Sequence, residues 1–484
     1  MMKRNSSRFV LVFVLLFLGL QSCTKDFEEI NLNPTAPVDV QPEFLLRQVL
    51  FNYSDNMSYE GFVAGNLLGQ LFTAIDFNLF DRHGLSQSQY GGNPWSFLYQ
   101  NLRDNEILLK KSETEPAAKV YQGPALILKA LFTAQLTDLY GDVPYSEALQ
   151  GKAGNVRPKY DSQRDIYLAE NGILDNLENG LEALEAYQSA IPLNGDIVFS
   201  GDLDKWKKFA NSLRLKYLLR IADKEDVSAK IKAIYTEGNY IQDISEDAVY
   251  HFTASQPNNF RMSTARIGDF GLFIMSETIE EELKKLNDPR MATYFRPTGA
   301  DANVYHGLLN GPDASQLSIS VADYSLSGTI FREEADKVKA NFMTSYETKF
   351  VLAEAALRGF IEANPQVLYE EGVRDAFAYW YTVMPETYLS DGPAAFQSSS
   401  ALEQIITQKW LANIINGYEG WIEYRRTGFP ALKTISASLN NDLIPVRLPY
   451  PTTEDALNNA NFTEAAGRTE GNSINAKVWW DVQD

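Results

Sequence analysis

The chain has 484 residues, 63 Asp and Glu against 43 Lys and Arg, a formal charge of -20 and a single cysteine. So acidic a surface repels phosphate backbones, which argues against a nucleic-acid partner, and one cysteine excludes an intramolecular disulfide. With 45% hydrophobic and 12% aromatic residues, a chain of this length can bury a large core.

Lys3, Arg4 and Arg8 surround the start of an unbroken apolar run over residues 9–20. The run is too short for the roughly 20 residues that span a bilayer. It has the layout of a secretory signal peptide over 1–22, with the small Ser22 before the cleavage point. Cys23 at this junction resembles the cysteine of the bacterial lipobox, which becomes a lipidated N-terminus; Gln21 is larger than the residue usual there. Two acyl chains anchor stably where one is marginal. Loss of Lys3, Arg4 and Arg8 takes the formal charge from -20 to -23. Residues 23–42, polar and carrying Asn31, Asn33, Pro34, Pro37 and Pro42, read as an extended tether.

Residues 43–484 read as one mainly helical, all-α domain. Helical periodicity predicts helices at 43–53, 60–74, 95–111, 116–139, 161–187, 204–222, 226–237, 276–286, 343–361, 365–382, 400–416 and 419–427. Asp204, Asn364 and Ser400 are predicted N-caps, and Pro116 and Pro365 suit a first helical turn. Strand signals are sparse, as at 249–252. Successive helices form helix-turn-helix units at about 95–139, 161–222, 343–382 and 400–427, which suggests tetratricopeptide-like packing without a strict 34-residue period.

Two loop-rich stretches interrupt this pattern, at 75–95 and 253–342. Their aromatic content argues against disorder, and both read as binding loops on a rigid helical scaffold. Catalytic signatures are missing: there is no Gly-x-Ser-x-Gly, His-Glu-x-x-His, Walker or dinucleotide pattern. His83, His251 and His306 are isolated in sequence, and Asp301, Asp313 and Asp323 lack the spacing of a calcium loop. No metal, cofactor or catalytic residue is expected.

Six segments then match a known family in order: Thr137-Asp138-Leu139-Tyr140-Gly141-Asp142-Val143-Pro144-Tyr145, Asn287-Asp288-Pro289-Arg290, Glu354-Ala355-Ala356-Leu357-Arg358-Gly359, Gln408-Lys409-Trp410, Arg425-Arg426-Thr427-Gly428-Phe429-Pro430 and Ile444-Pro445-Val446-Arg447. They resemble the SusD/RagB outer-membrane lipoproteins over essentially the whole chain. The resemblance implies a surface-exposed lipoprotein of the outer membrane with four tetratricopeptide-like units. It also implies a SusC-like TonB-dependent transporter as partner, irregular loops that capture an oligosaccharide or sometimes a peptide, and no catalysis. Most signature residues are expected to be structural: Gly141 and Pro144 shape a turn, Asp288 and Arg290 lock a loop to a helix end, and Arg425 and Arg426 anchor the last unit through carboxylates.

Sugar recognition needs aromatic faces for the apolar side of a pyranose and amides or guanidinium groups for its hydroxyls. The first loop supplies Phe77, Asn78, Phe80, Arg82, Tyr90, Asn93 and Trp95, and the second Phe260, Tyr305 and Tyr324. Trp95 and Tyr99, four residues apart, equally suit a helix core. The leading expectation is a glycan-binding lipoprotein serving a transporter; the alternatives are a peptide-binding member of the same family and a lipid-anchored glycoside hydrolase, for which two carboxylates would suffice.

Overall fold

Apolar stripes on long helices are buried most readily against one another, and here they pair in chain order. The computed structural model describes residues 40–313 and 320–481. The signal peptide, Cys23 and nearly all of the tether lie outside the described residues. From Pro42 onward the chain forms one compact unit.

Helix α1 (Pro42–Glu60) packs on α2 (Trp95–Thr114), which pairs with α3 (Gln122–Tyr140); α4 (Ile173–Glu185) lies against α3 and pairs with α5 (Leu203–Arg220). After α6 (Ser228–Glu237) and α7 (Glu277–Leu286), α8 (Ser345–Leu357) pairs with α9 (Pro365–Tyr379) and returns onto α5. Helix α10 (Ala401–Ala412) packs on α8 and pairs with α11 (Glu419–Thr427). The four expected pairs are all present, and the fold is the helical, tetratricopeptide-like one.

Among the described residues the named strands form three short antiparallel ribbons: β1 (Phe72–Ala74) with β5 (Phe273–Met275), β2 (Val143–Pro144) with β3 (Tyr160–Asp161), and β4 (Ala248–His251) with β6 (Lys339–Met343). The expected strand at 249–252 is β4, shifted by one residue.

Several predicted boundaries move for local reasons. The helix expected at 60–74 is instead the end of α1, a π turn over Gly61–Gly65, a short helix Asn66–Leu68 and then β1. Gly61 and Gly65 lie so close to the 415–417 backbone that a Cβ would fall 2.3 Å from the Ile415 carbonyl oxygen and 1.8 Å from that of Gly417. The helix expected at 161–187 breaks between Gln163–Leu168 and α4, where Asn171 is left-handed at a φ of 60°. Asp202, rather than Asp204, caps α5 by accepting from the Asp204 and Lys205 amides. Asn364 caps α9 as expected, with Pro365 in its first turn, whereas Ser400 precedes α10 without a side-chain cap. Pro116 opens a 3-10 turn, Pro116–Tyr121, ahead of α3.

The joint between helix pairs is ionic and buried. Lys216 on α5 reaches Glu347 at 2.8 Å and Glu419 at 3.1 Å, and Arg220 reaches Asp138 at 2.6 Å, Glu419 at 2.6 Å and Glu423 at 3.2 Å. Arg426 bridges Glu354 at 2.6 Å and Glu423 at 2.7 Å, while Lys409 lies 3.5 Å from Glu423. One network thus ties α3, α5, α8, α10 and α11 together. Arg425 donates to the backbone carbonyls of Asp138 and Val446 and stacks on Trp421 and Trp480, so its anchoring draws on carbonyls and rings in place of the expected carboxylate fork. Asp288 and Arg290 pair at 2.6 Å in full burial, and Arg290 continues to Gln408 on α10, which is the expected loop-to-helix lock.

Candidate functional site

The β1–β5 ribbon sews the two loop-rich stretches together. Thr73 faces Ile274 in its register, and beyond it the Ile75 amide donates to the Leu272 carbonyl at 3.0 Å. On the other edge of β5, the Met275 amide donates to Ser325 at 2.9 Å, the Leu308 amide to Met275 at 3.0 Å, and the Ser325 amide to His306 at 2.8 Å. Segments 72–75, 272–276, 306–308 and 325–326 therefore form one irregular ribbon.

Buried polar groups pin the first loop to it. The Asp81 carboxylate accepts from Thr73 Oγ1, the Ala74 and Gly311 amides and Asn310 Nδ2, all within 3.1 Å. Burial pushes this carboxyl upward, and the four donors oppose the shift. Asn78 Nδ2 donates to the carbonyls of Ala74 and Pro312, and Arg82 Nε to that of Ala437. At the loop's end Glu60, likewise raised by burial, accepts from the Gly92 amide at 2.7 Å and Tyr418 hydroxyl at 2.5 Å. Gly92 is left-handed, with φ 79°, and a Cβ there would sit 2.4 Å from the Phe80 ring, so the turn requires glycine.

The predicted site residues divide by exposure. Phe77 is 50% exposed and meets the half-buried Tyr90 edge to face, with centroids 6.3 Å apart at 75°. Phe77 holds a φ of 49°, uncommon for an aromatic residue, with its amide donating to Asp76 at 2.7 Å. The Tyr90 hydroxyl donates to Asp269 at 3.3 Å. Tyr324, half-buried, stacks on the exposed His306 at 5.2 Å and 16°; Tyr305 is half-buried beside them in sequence. Asn93 is exposed and accepts from the Tyr140 hydroxyl at 3.3 Å, and Arg82 is half-buried and pinned.

Four of the expected residues face inward, which corrects their reading as ligand contacts. Phe80 closes on Gly92, Asn78 spends its amide on two carbonyls, and Trp95 packs among Tyr99, Tyr140, Tyr160 and Tyr450. Phe260 is wholly buried between Phe62 and Phe252. Long irregular loops need a core of their own, and large rings supply it. Sequence reading missed His306 as a stacking partner, because its isolation in sequence hid Tyr324 eighteen positions away.

Deeper concavities lie on the helical units, one of about 740 Å³ lined by Glu113, Lys119 and Tyr187 and one of about 400 Å³ lined by Tyr99, Lys129 and Tyr145. Tyr99, Tyr145 and Tyr187 are half-buried there, as Tyr90 and Tyr324 are on the loop face, and the loop face adds the exposed ring of Phe77. Among the described residues no group of three or more His, Cys, Asp or Glu side chains converges as metal ligands would, and no helix is long and apolar enough to cross a membrane.

The sequence model of the SusD-like_2 family, whose description is starch-binding associating with outer membrane, matches residues 34–451. The chain belongs to this family. SusD-like proteins are outer-membrane-associated proteins that bind nutrients or glycans. Among solved structures, a chitin-binding protein superposes with a TM-score of 0.79 at 26% identity, covering 92% of this chain and 100% of its own. A SusD homologue from Bacteroides fragilis gives 0.77 at 24% identity, with 92% and 100% coverage, and a chitin-binding SusD homologue from Flavobacterium johnsoniae 0.77 at 21%, with 92% and 99%. The latter two establish the likeness of fold. No curated protein matches the sequence.

Proposed function

We propose that this SusD-like protein captures oligosaccharides where its two loop-rich stretches meet and delivers them, uncleaved, to a SusC-like TonB-dependent transporter of the outer membrane. Lipid on Cys23 would hold it at the cell surface. The observation that carries the reading is the pairing of two outward aromatic clusters, Phe77 with Tyr90 and Tyr324 with His306, on one hydrogen-bonded ribbon in a chain of a glycan-binding family. Pyranoses present apolar C–H faces to such rings; Asp81 and Glu60 fix the loop that carries Phe77 and Tyr90, and the Ser325 bonds to His306 and Met275 hold the second pair, so little ordering is left to be done on binding.

The chitin-binding neighbour makes chitohexaose the first probe, with maltohexaose beside it. Removing a stacking ring from an interface costs about 1–3 kcal/mol, which is about tenfold or more in affinity. Phe77→Ala, Tyr305→Ala and Tyr324→Ala are therefore expected to melt like the parent and bind the cognate sugar about tenfold more weakly in titration calorimetry. Full affinity in all three, or release of shorter sugars during the incubation, would overturn the reading.

A further inference from the structure

Every lysine and arginine in the described parts of the two loop-rich stretches is already engaged. Arg82 donates to the Ala437 carbonyl and lies 3.9 Å from Asp313. Arg261 pairs with Asp55 and lies over Tyr59, and Arg266 forms a fork with Asp269. Arg296 reaches Glu333 at 2.6 Å, and Arg332 donates to the Ala265 carbonyl above the Phe270 ring. The lysines follow suit: Lys284, Lys285 and Lys337 pair with Glu280, Glu282 and Glu334, and Lys339 is buried between Tyr379 and Tyr381. Arg290 is buried with Asp288. Lys433, on the segment that packs beside the first loop, is held at 2.6 Å by both Glu277 and Glu281.

Carboxylates beside the rings of the two aromatic clusters in sequence are freer. Asp76 adjoins Phe77, and Asp323 adjoins Tyr324; both are exposed. Asp301, also exposed, is brought beside 320–324 by the Ala300 amide donating to Ala322 at 2.9 Å. Asp76 accepts from the Phe77 amide and Asp301 from Asn303, all neutral donors. Asp76 and Asp323 are thus each one residue removed from a ring of a different aromatic cluster, and charges act on a nearby ligand over the roughly 8 Å screening length of physiological salt.

From this charge arrangement we infer that the face admits uncharged and amino sugars and rejects uronic-acid and sulfated ones, an inference that rests on the oligosaccharide-binding reading above. An acidic sugar would have to share a guanidinium, such as the exposed Arg266, with the carboxylate it already pairs with, or sit unpaired beside Asp76, Asp301 or Asp323. Among the described residues none of the three pairs with a cation, which leaves them to a glucosamine ammonium. Selection then comes from repulsion built into the rim as well as from stacking, which is neutral to sugar charge.

The test compares chitohexaose, the corresponding glucosamine hexamer and hexagalacturonate on the purified protein by calorimetry, at low and at physiological ionic strength. The first two are expected to bind at least about tenfold more tightly than hexagalacturonate, with the gap narrowing as salt screens the rim. The triple variant D76N/D301N/D323N is expected to narrow the ratio of neutral to acidic affinity by about tenfold. Hexagalacturonate binding as tightly as chitohexaose at low salt, or an unchanged ratio in the triple variant, overturns the inference and leaves the binding function standing. Failure of all three sugars, and of maltohexaose, to bind overturns both.

Discussion

Glu419 shows what a buried charge does in this protein. Burial alone would raise its carboxyl, yet Arg220, Lys216 and Lys409 overcome that and hold it down to about 2; Glu423 is likewise lowered, by Arg426, Lys409 and Arg220. A carboxylate depressed in the folded state stabilises the fold fully above its unfolded value of about 4.5 and loses that contribution as pH falls through the folded value. Asp247 works the other way: burial raises it to about 7, so its contribution is complete below the ordinary carboxylate range and is lost as pH rises toward neutrality. Acid unfolding is therefore expected between about pH 4.5 and 2, driven by the ionic joint. Glu419→Gln should lower stability at neutral pH by about 3–5 kcal/mol, because Arg220 and Lys216 stay buried with a partner removed, and should flatten the acid limb of the profile. Melts recorded by circular dichroism from pH 7 to 2 check both effects, and a variant that keeps the parent's neutral stability would show that the network carries no such burden. The corresponding double change to apolar residues need not destabilise, since buried ion pairs specify register more surely than they add stability.

At the scale of elements, the close approach of the π turn Gly61–Gly65 to the 415–417 turn gives a prediction whose sign is diagnostic. Gly65 has an ordinary helical φ of -59°, so Ala there would favour an isolated helix by about 1 kcal/mol. In the folded protein its Cβ would fall 1.8 Å from the Gly417 oxygen, and the backbones would have to part. Overpacking of this kind costs about 1–3 kcal/mol, and outweighs the propensity gain. Gly65→Ala is expected to lower the melting temperature in calorimetry, and to loosen the first loop, since Glu60 just upstream holds both Gly92 and Tyr418. A variant as stable as the parent would mean that the contact yields without cost. This region is also where sequence reading failed. The apolar run through Phe62, Val63, Leu67, Leu68, Leu71 and Phe72 is buried on all sides, and a stretch without an exposed face has no period to tell helix from strand. Helices with a wet face, such as α4 and α7, were legible because they keep polar residues outward. Loop composition singled out the two stretches that the β1–β5 ribbon joins, but it carries no information on which way a ring points. Phe77 turned outward and Phe260 inward from similar surroundings, and only the tertiary partners Phe62 and Phe252 distinguish them.

The whole molecule joins two tasks that the sequence separates. The body from Pro42 onward is one compact unit, whereas the expected lipid site, Cys23, precedes it and contributes no disulfide to its fold. Anchoring and folding should therefore come apart on mutation. Cys23→Ala is expected to abolish incorporation of radiolabelled fatty acid and release the protein from the membrane fraction, while the secreted body melts within about 1 °C of the parent, the shift that a loss of about 1 kcal/mol produces in a chain of this size. The partnership follows the anchor. Stacked helix pairs offer extended faces for a protein partner, and a body carrying a strong net negative charge gains little from anionic lipid itself, so the proposed recruitment to a transporter would rest on protein contact once the proposed lipid had confined both to one surface. An affinity-tagged parent solubilised in mild detergent is expected to co-purify with a large outer-membrane barrel, and the Cys23→Ala protein to recover much less of it at equal expression. Fatty-acid labelling undiminished in Cys23→Ala would place the lipid elsewhere, and a parent that emerges monodisperse and partner-free from membranes in which the transporter is expressed would remove the delivery role and leave a glycan-binding protein that acts alone.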